Sequence, residues 1–254
     1  MNRAAGLQEP KTLAESVMQR IQQDILECRL KPGEPLRIEK LMDAYQVGMS
    51  PLREALSRLA STGLVLAAGQ RGFRVAPVSI HDFLDLTRMS VWVEAAALRS
   101  AIAHGDRNWE AEILAANHRM SGNSPQKRRS GENRPYDADW DERHRNFHNA
   151  LIASCDSPRL LAYRDHLYDL HDRYRRLAFA NDRLAGEVDE AHKALMKAVL
   201  DRDAPLAIDT FTEHCLLAAG PIVAADKDVG KSAKAVIDGL RASIAAGMPA
   251  GART

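Results

Sequence analysis

The sequence predicts a mainly α fold: a winged helix-turn-helix unit at the N-terminus, followed by an antiparallel all-α bundle. Three observations carry this. Apolar residues recur at spacings of three to five along most of the 254 residues, strand-prone runs are confined to Leu64–Leu66 and Phe73–Val75, and turn residues separate the patterns. At roughly 100 to 200 residues per domain, the length suits one large domain or two smaller ones. Hydrophobic residues make up 45% and charged residues 27%, which excludes wholesale disorder and collagen-like structure.

Leu13, Val17, Ile21, Ile25 and Leu26 predict a first amphipathic helix over residues 12 to 29, broken by Lys31-Pro32-Gly33. Leu36, Ile38, Leu41, Met42 and Tyr45 support a second, short helix ending at Tyr45. In the compact turn Val47 to Pro51, Ser50 can cap the next helix and Pro51 suits its first position. Leu52, Ala55, Leu56, Leu59 and Ala60 form the stripe of a third helix, 51 to 62, ended by Gly63. The two strand-prone pieces flank Gly69-Gln70-Arg71-Gly72 and read as a β-hairpin closed by Pro77.

From Ile80 onward helical periodicity returns, over about 80 to 104, 107 to 121, 138 to 154, 157 to 182, 187 to 201 and 204 to 220. The stretch from Ser121 to Asp137 is rich in Ser, Gly, Asn, Pro and charge and reads as a mobile loop. Val236, Ile237, Leu240 and Ile244 mark a further helix. The expected division is therefore 10 to 78, 79 to 224, and a partly helical tail, 225 to 254, to which no function is assigned. There is no internal repeat.

No stretch approaches the 18 uninterrupted apolar residues of a membrane span, since even Val91 to Ala103 is broken by Glu94, Arg99 and Ser100. The N-terminus lacks the apolar stretch of a secretory signal. Cys28, Cys155 and Cys215, without CxxC spacing, read as free thiols in a reducing compartment, so the expectation is a cytoplasmic protein without a membrane partner. A net charge of +1 conceals 11 Lys+Arg against 8 Asp+Glu in residues 1 to 78 and a slightly acidic remainder. That asymmetry matters only if a motif agrees with it.

A motif does agree. Three helices, a tight turn between the second and third, and a hairpin wing form the winged helix-turn-helix plan, in which the third helix enters the DNA major groove. Ser50 and the free N–H groups at its start can meet phosphate, while Arg53, Ser57 and Arg58 point away from the leucine stripe. Arg37, and Arg71, Gly72 and Arg74 of the wing, complete the expected DNA-binding set. On pattern alone, a small helical module with merely solvated arginines is the alternative.

SPLREALSRLASTGLV followed by RGFRVAP resembles the GntR family of bacterial transcription regulators, over about residues 12 to 78. Many members carry an arginine just before the Ser/Thr-Pro pair. Here that position is Met49, so Arg53 and Arg58 carry more of the expected reading.

Four of the nine histidines form a geometry. His144 and His148 are four apart on one helix and share a face. His192 and His214 lie on consecutive helices, each eleven residues from a bend centred on Asp203, so an antiparallel hairpin sets them at equal height. Four neutral imidazoles suit zinc or another borderline metal rather than magnesium or calcium. Two unrelated packing pairs are the alternative on spacing alone. His81, His104, His118, His166 and His171 read as ordinary surface or locally bonded residues.

Phe147-His148, Ala191-His192 followed by Ala198-Val199 and Arg202-Asp203, and Glu213-His214 are similar to the C-terminal helical domain of the FadR-like branch, the FCD domain. In metal-binding members an Asp and three His hold a divalent ion. Here His144 stands at the Asp position, which implies an all-histidine site for zinc, with nickel or manganese as alternatives. The resemblance further implies a sensor of small organic acids, with Arg88 as the pocket arginine and Arg173 and Tyr174 of DRYRRL behind it. A solvated face is the alternative for that arginine-rich stretch.

The expected function is a metabolite-responsive regulator that binds double-stranded operator DNA as a homodimer and responds to a carboxylate effector at the metal, with no catalytic residues. Two alternatives stand beside it: a metal-dependent hydrolase or lyase carrying a helix-turn-helix module, with Glu187, Glu190 and Glu213 as the nearby carboxylates, and a regulator with a purely structural metal.

Overall fold

The structure is a computed structural model and describes residues 12–67, 72–121, 138–178, 185–225 and 232–247. The chain falls into two compact units, Met1–Ser79 and Ile80–Thr254.

In the first unit, α1 (Leu13–Leu26) starts where the Thr12 hydroxyl oxygen accepts the Glu15 N–H at 3.1 Å, an N-cap that satisfies one unpaired donor of the first turn. Its Val17, Ile21 and Ile25 are fully buried against α3. After β1 (Pro35–Leu36), α2 (Ile38–Tyr45) ends at Gln46, whose left-handed backbone (φ 56°) turns the chain toward α3 (Met49–Ser61). The cap of α3 is Gly48, not Ser50. Because the Gly48 carbonyl already accepts the Leu52 N–H, Ser50 lies inside the first turn and Pro51 beyond the first helical position.

Leu52, Ala55, Leu56 and Leu59 of α3 are all at 0% exposure, and Leu41 and Tyr45 are buried on α2, which packs against α3. Gly63 follows the helix with φ +77°, a conformation that favours glycine. β2 (Val65–Ala67) and β3 (Phe73–Val75) pair antiparallel as expected, but the sheet has three strands, in the order β1-β3-β2. Pro35 and Leu36 sit opposite Arg74 and Phe73, so a segment expected to lead into the second helix begins as an edge strand. The expected wing tip, Gly69 to Arg71, lies outside the described residues.

The second unit is helical throughout the described residues: α4 (Ile80–His104), α5 (Arg107–Ser121), α6 (Ala138–Leu151), α7 (Pro158–Ala178), α8 (Ala185–Leu200), α9 (Ala204–Ala225) and α10 (Ala233–Gly247). The loop expected between Ser121 and Asp137 lies outside the described residues. The bend between α8 and α9 is built by Arg202, at φ 61°, and by Asp203, whose carboxylate accepts the Leu206 N–H at 2.9 Å.

α9 meets α4, α7, α8 and α10. Among the described residues it alone is long and apolar enough to cross a membrane, over Ala204–Ala224, and its contacts on four sides account for that apolarity as a core helix. The helix marked by Val236, Ile237, Leu240 and Ile244 is α10. Leu240 and Ile244 enter the common core, and the Trp92 indole N–H donates to the Ile244 carbonyl at 3.1 Å.

Candidate functional site

α6, α8 and α9 bring His144, His148, His192 and His214 together in the interior of the second unit. One ring nitrogen from each lies within 4.8 Å of the others, and exposures are 4%, 2%, 1% and 9% in that order. His144 Nε2 stands 3.2 Å from His148 Nε2 and 3.2 Å from His192 Nε2. Nitrogens about 2.0 to 2.1 Å from a tetrahedral zinc stand about 3.3 Å apart, so these two pairs have the spacing of ligands in one sphere. The helical hairpin delivers His192 against His214 with ring centroids 4.5 Å apart.

The donor set fits a borderline metal. His144 Nδ1 lies 2.9 Å from the Tyr168 hydroxyl, so an N–H there leaves the Nε2 lone pair directed at the other imidazoles. Trp140, one turn earlier on α6, stacks on His144 at 4.9 Å. The Tyr168 ring is flanked by the guanidiniums of Arg145, at 4.4 Å, and Arg164, at 4.8 Å. Arg145 is tied to Asp169. A ring so held has little freedom to rotate away from His144.

A cavity borders the cluster on one side. Its volume is about 60 Å³, room for a few waters or the polar part of a small acid. Ser90 and Glu94 of α4 line it, with Arg164, Tyr168 and His171 of α7 and Cys215 of α9, beside His144, His148 and His214. Arg164 is the residue sequence reasoning missed. Its Nε–H donates to Glu94 at 2.8 Å and an Nη to Asn149 at 2.6 Å, with 4% of its side chain exposed and 3% of that of Glu94. Burial works against the cation, yet the Glu94 carboxylate holds the guanidinium above its ordinary value. Burial also pushes the Cys215 thiol well above the usual thiol range, with Glu94 adding to it.

The expected effector residues are placed differently. On α4, Ser90 and Glu94 are one turn apart and share the cavity face, whereas Arg88 is two residues, or about 200°, away from Ser90. Arg88 instead pairs with Asp85, donates to Ser243 of α10 at 3.2 Å and lies over Trp92. Tyr174 donates to Asp82 at 2.5 Å and packs on Phe83, away from the cavity lining. Arg173 is buried but is not among the lining residues. His171, read as ordinary from sequence, lines the cavity, with Nε2 3.3 Å from the Thr87 hydroxyl.

In the first unit, Ser50, Arg53 and Ser57 form one exposed stripe along α3, opposite Leu52, Leu56 and Leu59. Arg58 is also exposed but pairs with Glu54 at 2.6 Å, one turn away on the same helix. Arg37 precedes α2 and Arg74 lies on β3, both exposed. Gly72, at φ +89°, enters β3. Arg71 lies outside the described residues.

Comparison with known proteins divides the chain in the same way. Residues 13–75 match the bacterial regulatory proteins of the gntR family, and residues 85–216 match the FCD domain. The chain is 37% identical to BphR, an HTH-type transcriptional regulator of Paraburkholderia xenovorans, over 206 residues that cover 80% of this chain and 82% of that one. It is 37% identical over 207 residues to the HTH-type transcriptional repressor GlaR of Escherichia coli K12, covering 80% and 92%. Two solved structures share the fold: E. coli McbR/YncC, with TM-score 0.65, 20% identity and 80% and 93% of the chains covered, and a GntR regulator from Rhodococcus sp. RHA1, with 0.66, 19%, 84% and 99%.

Proposed function

The chain belongs to the gntR family of bacterial regulatory proteins, is a transcriptional regulator with an FCD domain and not an enzyme, and we propose that a small carboxylate bound at its four-histidine site controls operator binding. The observation that carries this reading is the convergence of four buried imidazoles, three of which, His144, His148 and His214, line a cavity that Arg164 also lines.

In this reading His144, His148, His192 and His214 hold the ion and Tyr168 fixes the ring of His144. A divalent ion bound there supplies an electrophilic centre for a carboxylate oxygen. Arg164, oriented by Glu94 and Asn149, offers its remaining N–H groups to the same ligand, the role first expected of Arg88, Arg173 and Tyr174. The buried position of the Arg164 and Glu94 side chains lowers the local dielectric and strengthens both contacts. Zinc is the first choice for an all-imidazole set, with nickel and manganese as alternatives.

On the DNA side, Arg53, Ser57 and Arg58 of α3 face the major groove, and Ser50, Arg37, Arg71, Gly72 and Arg74 meet the phosphate backbone. A homodimer matches a two-fold operator, and effector binding changes how its two recognition helices fit the half-sites. The protein acts in the cytoplasm, where its DNA is.

A second reading has its own support: four protein ligands are the number that a closed structural zinc site uses. The two separate on thermal unfolding of the zinc-loaded full chain against a panel of mono-, di- and tricarboxylic acids. The sensor reading expects at least one acid to raise Tm beyond the shift given by the metal, with the increment lost in His214→Ala. A purely structural metal gives no increment with any acid.

A further inference from the structure

α8, α9 and α10 enclose a second hollow, open to solvent, on the other side of the histidine cluster. Ala191, Asp209, Glu213, His214, Ile237 and Arg241 are among its lining. His214 therefore borders both the interior cavity and this outer groove, and at 9% it is the most exposed of the four histidines. The far bank belongs to α10, which lies beyond the matched FCD residues 85–216.

That bank is firmly seated but loosely latched. Leu240 and Ile244 anchor α10 in the core, and Gly247 approaches Trp92 so closely that a Cβ there would stand 2.0 Å from the indole ring. Toward the groove, the helix is fastened by Arg241, which forks onto Glu213 at 2.7 and 3.0 Å beside His214. Both partners are exposed, Arg241 by 44% and Glu213 by 57%, and an ion pair so screened opens at small cost. The groove also carries carboxylates of its own: Asp209 and Glu213 line it, and releasing Arg241 frees the Glu213 carboxylate for an incoming cation.

We propose that this groove is the route by which the metal enters and leaves, that His214 is the last ligand made and the first broken, and that Ile237 and Arg241 of α10 set the exchange rate. The proposal rests on the four histidines being a metal site, as above. A barrier on the route alters uptake and release alike and leaves the equilibrium untouched, which separates it from a residue that supports the bound state.

The test uses the full chain with zinc alone. Release into excess chromophoric chelator, uptake from limiting free zinc, and equilibrium affinity by chelator competition are measured for the wild type, Arg241→Ala and Ile237→Trp. Arg241→Ala is expected to speed uptake and release several-fold with affinity unchanged, and Ile237→Trp, which narrows the groove, to slow both. Equal rates in all three proteins would overturn the route, as would a change confined to release and mirrored in affinity. Arg241 is exposed, so its variant decides the matter even if Ile237→Trp does not fold. A wild type that takes up no stoichiometric zinc would instead remove the metal site itself, and the route with it.

Discussion

The Tyr168 hydroxyl lies 2.9 Å from His144 Nδ1, on the side of the imidazole opposite to the nitrogen that meets His148 and His192. One hydrogen bond thus fixes both the tautomer and the tilt of a ring that the rest of the cluster depends on. Tyr168→Phe keeps the ring between Arg145 and Arg164 and removes only the hydroxyl. Zinc affinity is expected to fall by about 10- to 100-fold with helical content unchanged, read by chelator competition and circular dichroism. An affinity equal to wild type would show that His144 is not oriented this way.

Arg164 and Glu94 bury opposite charges in the same wall. Arg164→Met leaves the Glu94 carboxylate enclosed without its cation and is expected to cost about 3 to 5 kcal/mol of stability. Glu94→Leu combined with Arg164→Met removes both charges and is expected to recover most of that loss while abolishing any acid-induced shift in Tm. Denaturant midpoints of the two variants check the first statement, and the carboxylate panel checks the second.

Much of this was legible in the sequence, for identifiable reasons. The stripes of α1 and α3 follow the 3.6-residue period of an amphipathic helix, and the four histidines obey simple geometry: one turn on α6 and equal arms about the bend at Asp203. β1 was not legible, because two residues carry no period and their partner, β3, is nearly forty residues away. Nor was Arg164. It sits in α7, where arginines, aspartates and aromatics recur on every face, and its partner Glu94 lies 70 residues earlier. The contact of Arg88 with Ser243 was not legible either, because α10, the helix that carries Ser243, had no assigned place in the bundle.

On the recognition helix, Arg53 has no ion-pair partner among the described residues, whereas Arg58 is held by Glu54. Arg53→Ala is expected to weaken operator binding by about 1 to 3 kcal/mol if it reads a base, and Arg58→Ala by less. Anisotropy titrations at several salt concentrations separate the roles: loss of a phosphate contact flattens the salt dependence, while loss of a base contact relaxes selectivity.

The cysteines give a pH-dependent prediction. Burial, then the Glu94 charge, raises the Cys215 pKa in the folded chain, so the neutral thiol is the form the fold favours. The stability it contributes is present below the ordinary thiol pKa and is lost as pH rises above it. At neutral pH, Cys215 and the buried Cys155 are expected to resist a disulfide reagent, while the half-buried Cys28 reacts. Reagent titration should count one thiol in the native chain and all three in denaturant. Rapid native modification of Cys215 would contradict its enclosure.

Control of DNA binding by the four-histidine site can be read from a single titration series. Zinc-loaded wild type and His192→Ala are titrated, with and without the carboxylate panel, against DNA from directly upstream of the chain's own gene and an unrelated fragment. Both proteins are expected to bind tightly, selectively and with salt sensitivity, with binding shifted by at least one acid in the wild type and by none in His192→Ala. The same acid response in His192→Ala, or wild-type binding indifferent both to fragment and to every acid, would contradict it.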